Sequence, residues 1–136
     1  MMPTPEQQAR QWLDAAAADV YAAEALVARG LFPAACFHCQ QAAEKALKAF
    51  LYGQGEEEVR GHSVAALCDL AARLDKRFAE LGEHVGELDG FYIATRYPNG
   101  LVDTTADKVF RRPAAQRALQ LAKRTHEEVQ EVLGLS

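Results

Sequence analysis

Two short stretches of this 136-residue chain carry side chains that could meet a ligand, and both read as helix. The first is Phe37 to Tyr52, FHCQQAAEKALKAFLY. At about 100° per residue, His38, Gln41, Lys45, Lys48 and Tyr52 fall on one side of it. Cys36, Cys39, Ala43, Ala46, Leu47 and Phe50 fall on the other. One face is suited to packing; the other lines up hydrogen-bond donors and positive charge. Gln40 and Glu44 sit at the border, and Glu44 with Lys48 forms an i,i+4 pair with the acid on the favourable N-terminal side. The second stretch is LDGFYIATRYP, ending at Pro98. There Asp89, Tyr92, Ile93 and Arg96 recur at helical spacing, with Tyr97 directly after. A guanidinium at a helix end is a planar fork suited to phosphate. Tyr52, Tyr92 and Tyr97 offer rings on which bases could stack. The same residues have a plain structural reading, in which Arg96 pairs with Asp89, Asp19 or Glu44 and the Tyr rings are core.

Other chemistries find little in the sequence. None of His38, His62, His84 and His126 stands at metal-ligand spacing to another His or to a Cys pair. No Gly-rich phosphate loop and no nucleophile signature occurs. The acids are scattered or paired with bases, so no carboxylate dyad is indicated. Cys36 and Cys39 form a C-x-x-C, but no β-α-β pattern surrounds it and no second copy exists. With Cys68 they read as reduced, buried thiols. No cofactor and no metal are expected.

The elements that must position these residues are helices. Thr4-Pro5-Glu6 is a helix start, with a capping hydroxyl, proline and an acid in the first turn. Helix 1 runs to about Arg29 with Trp12, Ala15, Ala16, Asp19, Val20, Ala23, Leu26 and Val27 on one face. Asp19 is a carboxylate in an apolar stripe, expected to be hydrogen-bonded to a Tyr, a Gln or backbone of a neighbouring helix. Gly30 reads as a left-handed cap, and the corner from Leu31 to Pro33 is short enough to force helices 1 and 2 antiparallel. Gly53-Gln54-Gly55 stops helix 2. His62-Ser63 opens a third apolar pattern, Val64, Leu67, Cys68, Leu70, Ala71 and Leu74. A short helix passes through Phe78 and Leu81. Helix 4 starts near Val85 or Glu87 and is stopped by Pro98. Leu101 to Arg111 reads as a loop, and Pro113 opens a last helix to about Leu133. His126 lies mid-stripe there and is expected as a satisfied core or subunit-contact histidine.

The fold class is therefore all-α: an up-and-down bundle of four long helices plus a short fifth, one domain over residues 1–136. The chain is 49% apolar and 25% charged, an ordinary globular balance. A net charge of −4 argues against a wholly basic nucleic-acid binder and leaves room for a local basic patch. No apolar run of membrane-spanning length and no signal segment is present, which predicts a soluble, cytoplasmic protein without a membrane partner. The apolar stripes on helices 1, 2 and 5 exceed what one bundle can bury, which predicts a homodimer.

Taken together, Trp12, Asp19-Val20, Gly30, the block AACFHCQQAAEKALKAFL, His62 opening a helix, and LDGFYIATRYP resemble the HEPN domain family (higher eukaryotes and prokaryotes nucleotide-binding). The Q-Q-A-x-E-K-x-L-K run from Gln40 to Lys48 and the R-Y-P from Arg96 to Pro98 are its most specific parts. The resemblance spans about Glu6 to Leu133. It implies an all-α bundle and homodimerisation. It also implies a minimal nucleotidyltransferase partner, often in a toxin–antitoxin-type module. Many members of the family are metal-independent ribonucleases that use an R-x4-6-H motif. Here Arg96 stands in the expected place, but no His follows it from Tyr97 through Asp103. Arg77 and His84 have the spacing but lie in the wrong element. Without that His no general acid or base is evident to activate an RNA 2′-OH. The leading expectation is a non-catalytic module that binds nucleotide or RNA phosphate through Arg96, Tyr97, Lys45, Lys48, Tyr92 and His62. The alternatives are a ribonuclease using Arg96 with His38, His62 or a partner subunit's His, and a purely structural assembly partner.

Overall fold

A computed structural model of the chain describes residues 2–91 and 110–135. Among the described residues every regular element is helical: α1 (Pro5–Ala28), α2 (Phe32–Gly53), α3 (Val64–Ala72), α4 (Arg77–Val85), a 3-10 turn (Gly86–Asp89) and α5 (Arg112–Leu133). The all-α class read from the sequence is the one observed.

The start of α1 is a capping box. Thr4 Oγ1 accepts from the Gln7 backbone N–H at 3.1 Å, and Gln7 Oε1 accepts from the Thr4 N–H at 2.8 Å. Its end is the left-handed turn that Gly30 predicts, at φ +75°. The Leu31 N–H reaches back to Leu26 O at 2.9 Å and the Gly30 N–H to Val27 O at 3.0 Å, closing two orphan carbonyls. The chain reverses within this corner. Trp12 stacks on Tyr52 and Asp19 meets Lys45, so α1 and α2 run antiparallel along their whole length. Arg112 lies over the Phe32 ring, and Leu133 packs where Gly53 leaves room, so α5 runs parallel to α2.

This makes α2 the central rod. Ala35, Ala42, Ala43, Ala46 and Ala49 of α2, with Ala16 and Ala23 of α1 and Ala115, Ala118 and Ala122 of α5, are fully buried. Side chains this small let the axes approach closely. The larger core volume comes from Phe50, Leu47 and Leu51 packed with Leu67, Phe78, Leu81, Val85 and Leu88; the Phe50 and Phe78 ring centroids are 4.4 Å apart.

Two sequence readings need correction. The third apolar pattern predicts burial of Leu70 and Leu74, yet both are exposed. Leu74 lies past the end of α3 at Ala72, and Leu70, within the helix, falls off the packed face made by Val64, Leu67, Cys68 and Ala71. The spacing also groups Asp89 with Tyr92, Ile93 and Arg96 on a helical face. Tyr92, Ile93 and Arg96 lie outside the described residues, while Asp89 itself lies at the end of the 3-10 turn and caps α3. Its carboxylate accepts from the Val64 N–H at 2.6 Å, the Ala65 N–H at 3.0 Å and the Ser63 hydroxyl at 3.0 Å. His126 is satisfied as expected, donating from Nε2 to Leu13 O at 3.3 Å. The helix read from Glu87 to Tyr97 lies beyond Phe91 outside the described residues, as does most of the loop read from Leu101 to Arg111.

Candidate functional site

The polar face of α2 is built from two carboxylates, each shared by a lysine and a histidine. Asp19 of α1 accepts from Lys45 Nζ at 2.7 Å on one oxygen and from His38 Nδ1 at 2.8 Å on the other. Glu44 of α2 accepts from Lys48 Nζ at 3.3 Å and from His62 Nδ1 at 3.0 Å, again one partner per oxygen. The acids are the deep members: Asp19 is 8% exposed and Glu44 4%. Burying a carboxylate is tolerated only with opposite charge and hydrogen bonds on its oxygens, and both acids have them. Two amides extend the second group. Gln40 Nε2 donates to His62 O at 2.8 Å, and Gln41 Nε2 donates to Gln40 Oε1 at 2.7 Å.

At the C-terminal end of this face, Trp12 and Tyr52 stack with centroids 5.7 Å apart and planes at 12°. Lys48 Nζ lies 5.5 Å from the Trp12 ring centre. The Tyr52 hydroxyl accepts from the Val59 N–H at 3.1 Å and so ties residues 54–63 to α2.

The geometry corrects the expected row of available cations. Lys48 is 7% exposed, clamped between Glu44 and Trp12, and serves as an internal counter-charge. Lys45 lies at the edge of the face but is already engaged by Asp19. Among the described residues of this face the two lysines and two acids cancel, so surplus positive charge there comes from the imidazoles. His38 and His62 are the more open members, with side chains 34% and 58% exposed. Of the sequence-predicted residues, the structure brings Lys45, Lys48 and His62 together on one face. Arg96, Tyr97 and Tyr92 lie outside the described residues. Asp19 joins Lys45 and His38 as their carboxylate: it stands out in the sequence as a misplaced acid, and His38, already on the polar stripe and a candidate in the ribonuclease alternative, lies i,i+7 from Lys45 on the side Asp19 meets.

The C-x-x-C pair belongs to the opposite face. Cys36, Cys39 and Cys68 are buried, free thiols. Burial pushes the Cys36 thiol from 9.0 up to about 11. Burial first, then the Cys36 and Asp19 charges, push Cys39 up to about 12. Burial first, then nearby Asp69, Asp89 and Glu128, do the same to Cys68, to about 12. Such thiols are poor nucleophiles at neutral pH. They keep their protons in the folded chain where the unfolded chain would lose them. Their contribution to stability is therefore whole below about pH 9 and is lost as the pH rises from there. At about pH 8, iodoacetamide should leave all three unmodified in the native protein and label them in denaturant, as read by mass spectrometry. Fast native labelling of Cys36 or Cys39 would contradict the packing. Among the described residues no cluster of His, Cys, Asp or Glu could hold a metal ion, and no helix is long and apolar enough to cross a membrane.

The all-helical bundle built around α2 is of the HEPN type. The chain belongs to the HEPN domain family, which it matches over residues 9–132. A protein of known crystal structure from Thermus thermophilus is 34% identical, with coverage of 91% of this chain and 97% of its own, and superposes with a TM-score of 0.77. An archaeal HEPN homologue is 28% identical, with coverage of 97% and 99% and a TM-score of 0.76. An HEPN domain protein from Thermotoga maritima is 28% identical, with coverage of 91% and 98% and a TM-score of 0.67. No curated protein matches the chain.

Proposed function

We propose that this chain is a non-catalytic HEPN module that binds nucleotide or RNA phosphate. It acts as a homodimer in the cytoplasm, beside a minimal nucleotidyltransferase in a toxin–antitoxin-type pair. The observation that carries the binding reading is the edge of α2, where His38, Lys45 and His62 stand as donors already oriented by buried carboxylates. Donors held in place lose little freedom when an anion arrives. Arg96 supplies the guanidinium, with Tyr97 and Tyr92 as stacking rings; Lys48 holds Glu44 in place from beneath. The reading as non-catalytic rests on the sequence after Arg96, which reaches Asp103 without a His.

The test is fluorescence anisotropy with a short labelled oligouridylate. Binding should weaken steeply as salt is added, and Arg96→Ala should weaken it by about tenfold or more. Binding indifferent to both would refute the reading and leave a scaffold. A nucleotidyltransferase in the adjoining reading frame would support the partnership.

A second reading, a metal-independent ribonuclease, has one observation in its favour. Asp19 fixes His38 through Nδ1, which leaves Nε2 to carry a proton. Incubation with structured RNA in EDTA separates the two. The binding module leaves the RNA intact; cleavage lost in both Arg96→Ala and His38→Ala would establish the enzyme.

A further inference from the structure

We propose that the Asp19–His38–Lys45 group is a proton-controlled switch on anion binding, an inference that rests on the phosphate-binding reading above. The argument is one of charge balance. Asp19 is a single buried carboxylate with two basic partners, Lys45 at 2.7 Å and His38 at 2.8 Å. Lys45 alone neutralises it. While the imidazole is neutral, the group as a whole offers an incoming phosphate no net attraction, and Asp19 itself repels it. When the imidazole takes a proton it becomes surplus positive charge, and Asp19 can neutralise only one of the two cations. Imidazole is the side chain type whose charge changes between about pH 5 and 8, so a pH series over that range is the direct probe of the surplus.

Among the described residues the surroundings do not cancel it. On α1 the acid facing His38 is Asp19, and on α2 the base is Lys45. On α5, Lys123 exerts its charge at Cys39, next to His38, and is itself paired with Glu24 of α1 at 3.5 Å. The partly exposed His38 ring can exchange its proton with solvent without opening the bundle. The second group repeats the plan with Glu44, Lys48 and His62. There the lysine is buried, so only the imidazole reaches the edge.

The experiment is a pH series with the same labelled oligouridylate, whose backbone phosphates and bases hold constant charge over the range. At fixed, low salt, affinity should rise by about tenfold from about pH 8 to about pH 5.5, the effect of one added unit charge beside a phosphate. His38→Gln keeps a donor for Asp19 but cannot titrate, and most of the rise should disappear. Asp19→Asn removes the charge that neutralises Lys45, and binding at about pH 8 should tighten by about tenfold. Circular dichroism checks that each variant is folded. A flat profile in the wild type overturns the switch while leaving the binding reading intact. An undiminished rise in His38→Gln overturns it as well. Absence of binding at every pH overturns both.

Discussion

Glu44→Gln should cost this protein about 3 kcal/mol of stability, the usual penalty for stripping one partner from a buried ion pair. The substitution changes almost no volume. Gln keeps an oxygen that can accept from His62. What it removes is the charge opposite Lys48, a side chain 7% exposed and held against Trp12. An ammonium left there has no counter-ion among the described residues, and its desolvation is no longer offset. For a chain of this length the loss corresponds to a fall of roughly 10 °C in the melting midpoint. The decisive comparison is the double variant Glu44→Gln/Lys48→Met. Replacing a buried pair by well-packed apolar groups is often neutral, so the second change should recover most of the loss. A single-variant loss below about 1 kcal/mol would mean that Lys48 finds water by bending away, and the double variant would then recover nothing.

The same pair shows what the sequence disclosed and what it withheld. The Glu44 to Lys48 contact is local, set by i,i+4 spacing, and was legible. So was the corner at Gly30, because a left-handed turn after a helix asks for glycine. Once that corner is fixed the antiparallel seam follows. Trp12 and Tyr52 lie equally far from Phe32, as do Asp19 and Lys45, and both pairs are in contact. The partner of Asp19 could thus have been read by counting outward from the corner, with a charged residue in place of the Tyr, Gln or backbone group expected.

Burial was the part that did not show. A helical wheel divides a helix into a packed face and a wet face, which suits a helix on the surface. α2 is enclosed by α1, α3 and α5, so its polar side is packed as well. The cations there meet buried acids instead of open solvent. Nothing in the pattern of residues 37–52 distinguishes these cases, since charge compensation depends on what the neighbouring helix brings. The overestimate of α3 has a similar origin. Leu74 extends its apolar pattern, but the chain leaves the helix at Ala72, and Leu70 turns away from the packed face.

The contact between Asp89 and α3 had no local signal at all, because 26 residues separate Asp89 from Ser63. Its removal is the other large effect expected. The first backbone N–H groups of α3 have no partner within the helix, and Ser63 satisfies only the one at Ala66. Asp89 takes those of Val64 and Ala65, and places its negative charge at the positive end of the helix. Asp89→Ala should therefore cost about 2 kcal/mol, from a lost charged cap and the buried Val64 N–H left unmet. Asp89→Asn, which keeps an acceptor oxygen without the charge, should cost about half as much. Urea unfolding measures both. The effect also has a direction in space. Asp89 closes the 3-10 turn from which the chain continues through Gly90 and Phe91 towards Arg96. Cutting the tie to α3 frees the start of that segment, so Asp89→Ala should speed amide exchange at Val64 and Ala65 and also weaken oligouridylate binding. If stability falls while binding holds at a temperature where the variant is folded, the anchor serves α3 alone.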